Sequence, residues 1–436
     1  MAKFQETDIG SIPSDWRIRS IDGLFTIQQG KSLSAKERTG DYLKPFLRTA
    51  NVFWGSLDLS MVDEMDIPPK DRERLALRYG DVLVCEGGDI GRTAVWRGEL
   101  SECYYQNHLH RLRTRPDGDV NPFFFALWMQ MAWKYLNVYK GVGNRTTIPN
   151  LSSSKLKELL APIPSLSEQK KIASVLAKIW KTVEIQASIL ENLRELKKSL
   201  MKHLFTYGLR GEPLKKTEIG MMPKSWEVKS LKEMGDCLNG LNFAQDARGD
   251  GVPFVNVKNM YAGLFINPVG LERVNLGSKN LDKYFLNKGD ILFVRSSLKE
   301  EGVGWSAVIK ELLEPTVFCG FIIRYRLNNS SQVDADYLGH LLLAQEQREE
   351  IIRHSSRMTI TNISQEGLGS VRVRLPSLAE QRDIVSILRA VDEKVAIHRA
   401  KKSALEDLFK TTLNQLMTGQ IRVKDLDIDT SDVEIA

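Results

Sequence analysis

The feature that most constrains this 436-residue chain is an internal duplication. Four motifs of the first half return in the second half in the same order and at a nearly constant spacing, with only small insertions between them. A chain duplicated over nearly its whole length predicts two copies of one architecture. The matching segments are Ile9–Trp16 with Ile219–Trp226, Gly80–Val84 with Gly289–Phe293, Thr147–Ser152 with Thr359–Ser364, and Pro164–Gln169 with Pro376–Gln381.

Each half divides into a globular part and a helical part. Residues 1–160 and 211–374 carry short apolar runs, often β-branched, that are broken by glycine, asparagine and proline. This texture is typical of β-rich domains with a few helices. Glycine and proline are absent from residues 167–205 and 379–417, where the apolar spacing becomes helical. We therefore expect an α+β fold with helical regions at 161–210 and 375–422.

The two long helices carry the 4-3 apolar spacing of coiled-coil seams. Helices of this kind usually supply oligomerisation or core packing, but the duplication favours a spacer between two domains. If they pair antiparallel within one chain, the two repeats become related by a pseudo-twofold axis. The seam residues are Ile172, Leu176, Ile179, Val183 and Leu190 in the first helix, and Ile384, Leu388, Val391, Val395 and Leu405 in the second.

Composition excludes a membrane protein and supports a polyanion partner only weakly. The formal net charge is +6, from 61 basic and 55 acidic residues. The longest apolar stretch, residues 123–133, is too short to span a bilayer and predicts a buried helix instead. The beginning of the sequence has no apolar signal core, so we expect a cytoplasmic protein. Residues 423–436 are rich in aspartate and predict a flexible, solvated tail.

The sequence contains no recognisable catalytic or metal-binding constellation. Gly30-Lys31-Ser32 resembles the end of a phosphate-binding loop, but Phe25 stands where that loop needs a glycine. Pro122 follows Asn121 as the first residue of a helix would. His108 and His110 form the only close histidine pair, and surface or nucleic-acid contacts suit them better than a metal site. The four cysteines form no C-x-x-C pair and predict buried, reduced thiols.

Polar and basic side chains beside the turns of both β-rich domains are the candidates for contact with a nucleic acid. Arginine, asparagine and glutamine form two-point contacts with base edges, whereas lysine mainly binds phosphates. An ordinary solvated role is the alternative for each of them. The candidates are Lys31, Lys36, Arg38, Lys44, Arg48, Asn51, Arg92, Gln106, Asn107, His108 and Arg145 in the first domain, and Asn242, Lys258, Asn259, Arg295, Lys299, Arg324 and Arg357 in the second.

These motifs resemble, over essentially the whole chain, the specificity (S) subunits of type I restriction-modification systems. The most specific shared feature is the Pro-x-Leu-x-Glu-Gln-x-x-Ile start of each long helix, at Pro164–Ile172 and Pro376–Ile384. The Ile-Gly-x-x-Pro-x-x-Trp opening of each half and the Gly-Asp-Val/Ile-Leu strand also match. So does the segment Phe46–Val52, with Phe254–Val257 as its counterpart.

The resemblance implies two target-recognition domains that each read one half of a bipartite double-stranded DNA site, with unlike half-sites. It implies that the paired helices set the gap and dock two methyltransferase (M) subunits, and that nuclease-translocase (R) subunits join the assembled complex. The chain itself is then non-catalytic and binds no cofactor, neither S-adenosylmethionine nor ATP. Apolar residues off the seam, such as Ile185, Ile189 and Phe409, are the expected partner contacts.

Two other functions remain open at this point, a stand-alone sequence-specific regulator and a purely structural adaptor. The sequence has no helix-turn-helix signature in support of the regulator. The basic and polar turn regions of both domains count against the adaptor.

Overall fold

The chain forms two compact units, each made from distant parts of the sequence. In the computed structural model, residues 3–34, 38–139, 150–277, 280–328, 332–356 and 360–434 are described. The first unit is Met1–Ala187 with Ala400–Ala436, and the second is Ser188–Arg399. Each unit therefore combines one globular domain with the beginning of one long helix and the end of the other. The boundaries predicted for the separate domains and helical regions stay predictions.

The first globular domain is built from short strands in a four-stranded sheet, a three-stranded sheet and the two-stranded pairs β1–β2 and β3–β11. Strands β4, β10, β7 and β8 form an antiparallel sheet in that order, and β5 pairs antiparallel with β6 and parallel with β9. The elements are β1 Phe4–Thr7, β2 Gly10–Pro13, β3 Arg17–Ser20, α1 Ile21–Leu24, β4 Phe25–Gln29, β5 Leu43–Leu47, β6 Asp63–Asp66, α2 Pro69–Leu75, β7 Val82–Cys85, β8 Thr93–Val95, β9 Tyr104–Tyr105, β10 Leu109–Thr114, α3 Pro122–Lys134, α4 Ser153–Glu158, β11 Leu160–Ile163 and the long helix α5 Leu166–Tyr207.

The second globular domain repeats this topology. Its four-stranded sheet has the order β15, β22, β18, β20, and β16 pairs antiparallel with β17 and parallel with β21. The elements are β12 Leu214–Thr217, β13 Gly220–Pro223, β14 Glu227–Ser230, α6 Leu231–Met234, β15 Gly235–Asn239, β16 Arg248–Val255, β17 Glu272–Val274, β18 Ile291–Val294, β19 Ser296–Ser297, β20 Ser306–Val308, β21 Val317–Phe318, β22 Ile322–Leu327, α7 Ala335–Leu343, α8 Gln345–Arg353, β23 Thr361–Asn362, α9 Gln365–Gly369, β24 Arg372–Leu375 and the long helix α10 Leu378–Met417.

The predicted helix over residues 123–133 is confirmed as α3, with its apolar face buried in the core of the first unit. Pro122 is its first residue, as expected. The Asn121 side chain caps the helix by accepting hydrogen bonds from Phe123 N and Phe124 N. A proline suits this position because the first helical N–H has no partner within the helix.

The shared start of α5 and α10 anchors each long helix to its own domain. Gln169 accepts a hydrogen bond from Asn121 N and donates to Asp119 O and Pro164 O. Gln381 does the same with Asp334 N, Gln332 O and Pro376 O. The glutamine of the repeated motif therefore saturates backbone groups at the junction between domain and helix.

Both long helices end close to a glycine, near the ends of the stretches 167–205 and 379–417 that lack glycine and proline. Gly208 and Gly419 follow the last helical residues with φ of 66° and 68°, a left-handed conformation that favours glycine. A Cβ at Gly208 would lie 3.0 Å from the Trp226 ring, and one at Gly419 would lie 3.4 Å from the Trp16 ring. The repeated tryptophan of each opening motif therefore packs beside the end of a long helix.

The two long helices pack together antiparallel. In the first unit, the rings of Trp180 on α5 and Phe409 on α10 have centroids 5.0 Å apart. In the second, Lys197 Nζ on α5 lies 2.5 Å from Asp392 Oδ1 on α10. As α5 advances along its sequence, its contacts on α10 run backwards, so the predicted antiparallel pairing is confirmed.

The predicted seam residues are all buried or half-buried. Ile172 and Leu176 belong to the core of the first unit, and Ile384 and Leu388 belong to the core of the second. The beginning of each seam is thus also core of the adjoining domain. Further along the helices, Val183, Leu190 and Val391 are buried, and Ile179, Val395 and Leu405 are half-buried.

The acidic tail does not have the flexible, solvated path that the sequence predicted. Val433 is fully buried in the core of the first unit, and Asn121 Nδ2 donates to its carbonyl at 2.8 Å. Ser174 Oγ and Lys178 Nζ on α5 donate to Asp429 O at 2.6 and 3.0 Å. The aspartates still face solvent, but apolar residues between them hold the described part of the tail against α5.

Candidate functional site

One end of each four-stranded sheet carries the same buried pair of an aspartate and an arginine. Asp81, just before β7, accepts two hydrogen bonds from Arg113 at 2.7 Å. Asp290, just before β18, accepts two from Arg326 at 2.6 and 2.7 Å. Both carboxylates are only 1% exposed and also accept a hydrogen bond from a backbone N–H three residues earlier. Each paired, buried carboxylate locks the turn that the Gly-Asp motif ends.

The other end of the sheet carries a group of loop residues that we name the loop cluster. In the first domain it comprises Lys31, Glu86, Gln106, Asn107 and His108. Glu86 N donates to His108 O at 2.9 Å, and Asn107 N donates to Lys31 O at the same distance. Lys31 also forms a parallel bridge with Gln106. Four of the predicted candidates therefore lie together at the end of this sheet.

The loop cluster of the second domain has the same backbone hydrogen bonds but different side chains. It comprises Leu241, Arg295, Cys319, Gly320 and Phe321. Arg295 N donates to Phe321 O at 2.8 Å, Gly320 N donates to Leu241 O at 2.7 Å, and Leu241 forms a parallel bridge with Cys319. The equivalent backbone positions therefore hold Glu86 and Arg295, and likewise His108 and Phe321.

A glycine makes the tight approach of the strands possible in both clusters. A Cβ at Gly30 would lie 2.3 Å from Gln106 O, and one at Gly240 would lie 2.1 Å from Cys319 O. Such distances are far below van der Waals contact, so any other residue would push the loop away. The clusters are thus held by the same backbone requirement in both domains.

The side chains of the two clusters offer different chemistry. Gln29 Nε2 donates to Glu86 Oε2 at 2.9 Å, which orients the carboxylate. The Lys31 ammonium donates to Asp66 O at 2.6 Å. In the second domain, Phe321 is 61% exposed, and Arg295 forms no ion pair with a residue that the structure describes. The first cluster is polar with an acceptor, and the second combines an arginine with apolar surface.

Other predicted candidates lie away from the loop clusters, and several are engaged in ion pairs. Lys44 pairs with Glu102 at 2.5 Å, Arg48 with Asp63 at 3.1 Å, and Lys258 with Glu272. Arg92 donates to Thr49 O at 3.0 Å. These pairings reduce the freedom of the four cations without excluding contact with phosphates. Arg38, Asn242 and Lys299 are exposed. Asn242 is the exception in position, because it lies against Gly320 of the second loop cluster, where an added Cβ would be 1.9 Å from Asn242 Oδ1.

Three candidates have hydrogen bonds that give them a structural role. Asn51 is buried and bonds Arg48 N, Asp58 O and Met61 O, and Asn259 Oδ1 accepts from Asn256 N. Arg324 is 8% exposed and donates to Lys283 O. Its repeat equivalent Arg111 makes the corresponding bond to Arg74 O. The asparagine contacts stabilise the turns that Asn51 and Asn259 belong to, and Arg324 reaches from β22 to hold the turn at Lys283.

His110 does not have the accessible role that its pairing with His108 suggested. It is fully buried on β10, with Nε2 2.9 Å from Leu151 O, and burial lowers its pKa. Strand alternation was wrongly applied here, because His108 lies in the turn before β10. Lys36, Arg145 and Arg357 lie outside the described residues, as do parts of the Thr147–Ser152 motif and its counterpart.

Sequence reasoning missed Glu86, Leu241 and Phe321. A signal for Glu86 was present, because Glu86 and Arg295 each directly follow the matched Gly-Asp strand. Leu241 and Phe321 are apolar and were not sought as recognition residues. Their correspondence to Lys31 and His108 was hidden because the spacing between equivalent residues varies along the chain. It is 210 positions from Lys31 to Leu241 and 213 positions from His108 to Phe321.

The described residues offer no group of three side chains that would hold a metal ion, and none of the helices described is long and apolar enough to cross a membrane. The predicted burial is confirmed for Cys85, Cys103 and Cys319, whereas Cys237 is half-buried. Burial raises the pKa of the Cys85 thiol to about 11 and that of Cys103 to about 12. These two thiols are therefore neutral near pH 7 and poor nucleophiles.

A duplicated α+β scaffold with paired long helices and unlike loop clusters defines a protein with two recognition domains. Residues 13–195 and 223–407 each match the family model described as type I restriction modification DNA specificity domain. The chain belongs to this family. It is the specificity subunit of a type I restriction-modification enzyme complex, the component that determines DNA recognition.

Two relatives and two solved structures illustrate the similarity. The MjaVIII specificity subunit of Methanocaldococcus jannaschii is 30% identical over 437 residues, with 97% of each chain covered. The EcoKI specificity subunit of Escherichia coli is 22% identical, covering 86% of this chain and 82% of the relative.

The S subunit structure from M. genitalium covers 92% of this chain and 96% of its own, with a TM-score of 0.55 and 17% identity. A chain from a structural study of complex assembly and conformational transition of the type I R-M system covers 94% of this chain and 99% of its own. That match has a TM-score of 0.58 and 17% identity. At this level of identity the two structures support the fold alone.

Proposed function

We propose that this chain is the non-catalytic DNA-reading subunit of its complex and that each globular domain reads one half of a bipartite double-stranded site. The observation that carries the proposal is the pair of loop clusters, which differ in chemistry although they share one set of backbone hydrogen bonds. Two domains that share one backbone arrangement but carry different contact residues suit a DNA site whose two halves differ in sequence. Phosphate contacts supply salt-dependent affinity, and base contacts supply selectivity.

The paired helices set the gap between the half-sites. An α-helix rises 1.5 Å per residue, so a heptad inserted into both helices lengthens the pairing by about 10 Å, or roughly three base pairs. One or two matched heptads should therefore lengthen the unspecified gap and leave both half-sites unchanged, as read by methylation mapping of the complex. Changed half-sites with an unchanged gap would overturn this role of the helices.

The helices also dock two methyltransferase subunits. Exposed apolar side chains recur between the repeats, since Ile397 is the equivalent of Ile185 and Leu408 is the equivalent of Leu196, at the spacing that relates Gln169 to Gln381. Ile185 and Leu408 belong to the first unit, and Leu196 and Ile397 to the second. All four are 47–64% exposed. A surface offered once by each unit suits two copies of one partner.

Phe409, which the sequence suggested as a partner contact, does not belong to this surface. It is buried against Trp180 instead. Its ring therefore holds the two long helices together.

The number of bound methyltransferase subunits tests the docking surface. The Leu196→Asp/Ile397→Asp variant should lower the M:S ratio in native mass spectrometry from 2:1 to 1:1. Val269→Asp, at a 69% exposed residue of the second globular domain, is the matched control and should keep 2:1. A 2:1 complex in the double variant would refute the docking surface.

Nuclease-translocase subunits join the assembled cytoplasmic complex.

A further inference from the structure

The two ends of the four-stranded sheet differ in whether their side chains are the same in both domains. At one end the buried Asp–Arg pair and its backbone bonds are the same in both domains. At the other end the backbone bonds are the same, but an acid in the first domain is replaced by an arginine in the second. The side chains that hold the fold are thus the same in both domains. Glu86 and Arg295, by contrast, occupy equivalent backbone positions and carry opposite charges.

We propose that this position selects a base in each half-site, with Arg295 reading a guanine and Glu86 reading the amino group of a cytosine. The inference deepens the proposed bipartite reading and rests on it. Arginine donates two parallel hydrogen bonds to guanine O6 and N7 in the major groove, and a glutamate carboxylate accepts one from cytosine N4. Because of the charge reversal, the second domain would bind hydrogen-bond acceptors of a base and the first domain would bind a hydrogen-bond donor.

The surroundings of each side chain fit this division. Glu86 is oriented by Gln29 and is half-buried beside the exposed His108, so one carboxylate oxygen is fixed by a neighbour. Arg295 has no ion-pair partner among the residues that the structure describes. It lies beside Phe321, whose exposed ring suits contact with a thymine methyl group.

Substitution of Arg295 in the full chain, assembled with its methyltransferase subunits, tests the inference. The readout is the methylated motif in genomic DNA together with relative binding of duplexes that differ at one base pair. Arg295→Gln should relax or change one guanine in one half-site, with about 10- to 100-fold less discrimination at that base pair. The other half-site and the gap should stay the same. Arg295→Lys should keep affinity and lose part of this discrimination, since lysine lacks the planar two-point fork of arginine.

Lys299 supplies the matched control, because it is an exposed cation four residues away. Lys299→Gln should weaken binding to all duplexes equally and keep the motif. An unchanged motif in Arg295→Gln, a changed base that is not guanine, or an equal loss at all sequences with unchanged thermal unfolding would each overturn the inference alone. A wild-type complex whose motif has no two halves would overturn the proposed function and the inference with it.

Discussion

Lys197 and Asp392 form an ion pair between α5 and α10 at the position where the other unit holds two aromatic rings. Asp392 is the repeat equivalent of Trp180, and Phe409 is the repeat equivalent of Lys197. The equivalent contact is thus charged in one unit, at 2.5 Å, and apolar in the other. Pairing α10 with a second copy of itself would place Asp392 against Phe409, which favours pairing with α5.

Removing the carboxylate of this pair should lower the stability of the second unit. Asp392→Ala leaves Lys197 without its partner at a site where the two side chains are 26% and 36% exposed. We expect a loss of about 1 kcal/mol, measured by thermal or denaturant unfolding, because the pair is partly desolvated. The exchanged variant Lys197→Asp/Asp392→Lys should recover most of the loss.

The exposed pair Glu191–Arg194 on α5 is the control for that experiment. Its side chains are about 60% exposed, so Glu191→Ala should change stability by less than about 0.5 kcal/mol. Equal effects of Glu191→Ala and Asp392→Ala would contradict a specific role for the ion pair between the helices.

His340 makes the second unit sensitive to acid. Burial, followed by the nearby Lys197 ammonium, lowers the pKa of His340 to about 4, although Asp392 and Asp336 oppose the shift. Arg389 also faces the group and favours its neutral form. The unfolded chain protonates this histidine near pH 6.5 and the folded unit does so only near pH 4. The contribution of His340 to stability is therefore full above pH 6.5 and is lost as pH falls towards 4.

Replacing His340 with the residue found at the repeat-equivalent position tests this pH dependence. His340→Leu copies Leu127 of the first domain and should reduce the loss of stability between pH 6.5 and 4, which approaches about 3 kcal/mol for a shift of this size. The measurement is the thermal midpoint against pH. His203→Gln, at an exposed histidine, should leave the slope as in the wild type. A His340→Leu slope equal to that of the wild type would show that other groups cause the acid sensitivity.

Arg422 should stabilise the first unit more than its repeat equivalent Arg210 stabilises the second, since Arg210 is 54% exposed and lies 3.8 Å from Glu380. Arg422 binds the buried Glu168 at 2.7 and 2.8 Å and Asp15 at 2.8 and 2.9 Å, and it lowers the pKa of Asp15. Glu380, the repeat equivalent of Glu168, accepts hydrogen bonds from Leu209 N and Trp226 Nε1. It therefore depends less on an arginine than Glu168 does.

Substituting each arginine with alanine separates the two cases. Arg422→Ala should cost about 2–4 kcal/mol, since Glu168 stays buried without its partner, whereas Arg210→Ala should cost less than about 1 kcal/mol. Calorimetric unfolding measures both. An equal loss for the two variants would contradict the assignment.

The tail should behave as part of the first unit. Val433→Asp places a charge in the core and should release the tail, at a cost of about 2–3 kcal/mol. Faster hydrogen exchange in residues 166–187 would report the release. Leu426→Asp, at a residue that is 52% exposed, should leave exchange unchanged. Exchange of the tail as fast as in an unfolded peptide, in the wild type, would support the flexible tail that the sequence predicted.

The repeat and the helix period predicted the larger architecture because both are regular. Four-three spacing predicted residues that are buried or half-buried on both long helices, and the stretches without glycine or proline predicted where these helices lie. The tail was wrongly predicted because its aspartates hide Val433 and Ile428, whose burial depends on a surface far away in sequence.

The candidate site was predictable only in part. Polarity identified Lys31, Gln106, Asn107 and His108, which do lie together. It gave the same weight to Arg324, because a buried structural arginine and a base-reading arginine look alike in sequence. Phe321 became recognisable only when backbone hydrogen bonds aligned the two domains, whereas the position of Glu86 after the matched Gly-Asp strand was already visible in the sequence.

Genome-wide adenine methylation mapping tests the central claim most directly. Cells that express this chain with its methyltransferase subunit are compared with cells that lack the chain. The account predicts a new motif with two unlike halves and a fixed unspecified gap, present only when the chain is expressed. A new motif that is continuous or has two identical halves, or the same methylation with and without the chain, would contradict it.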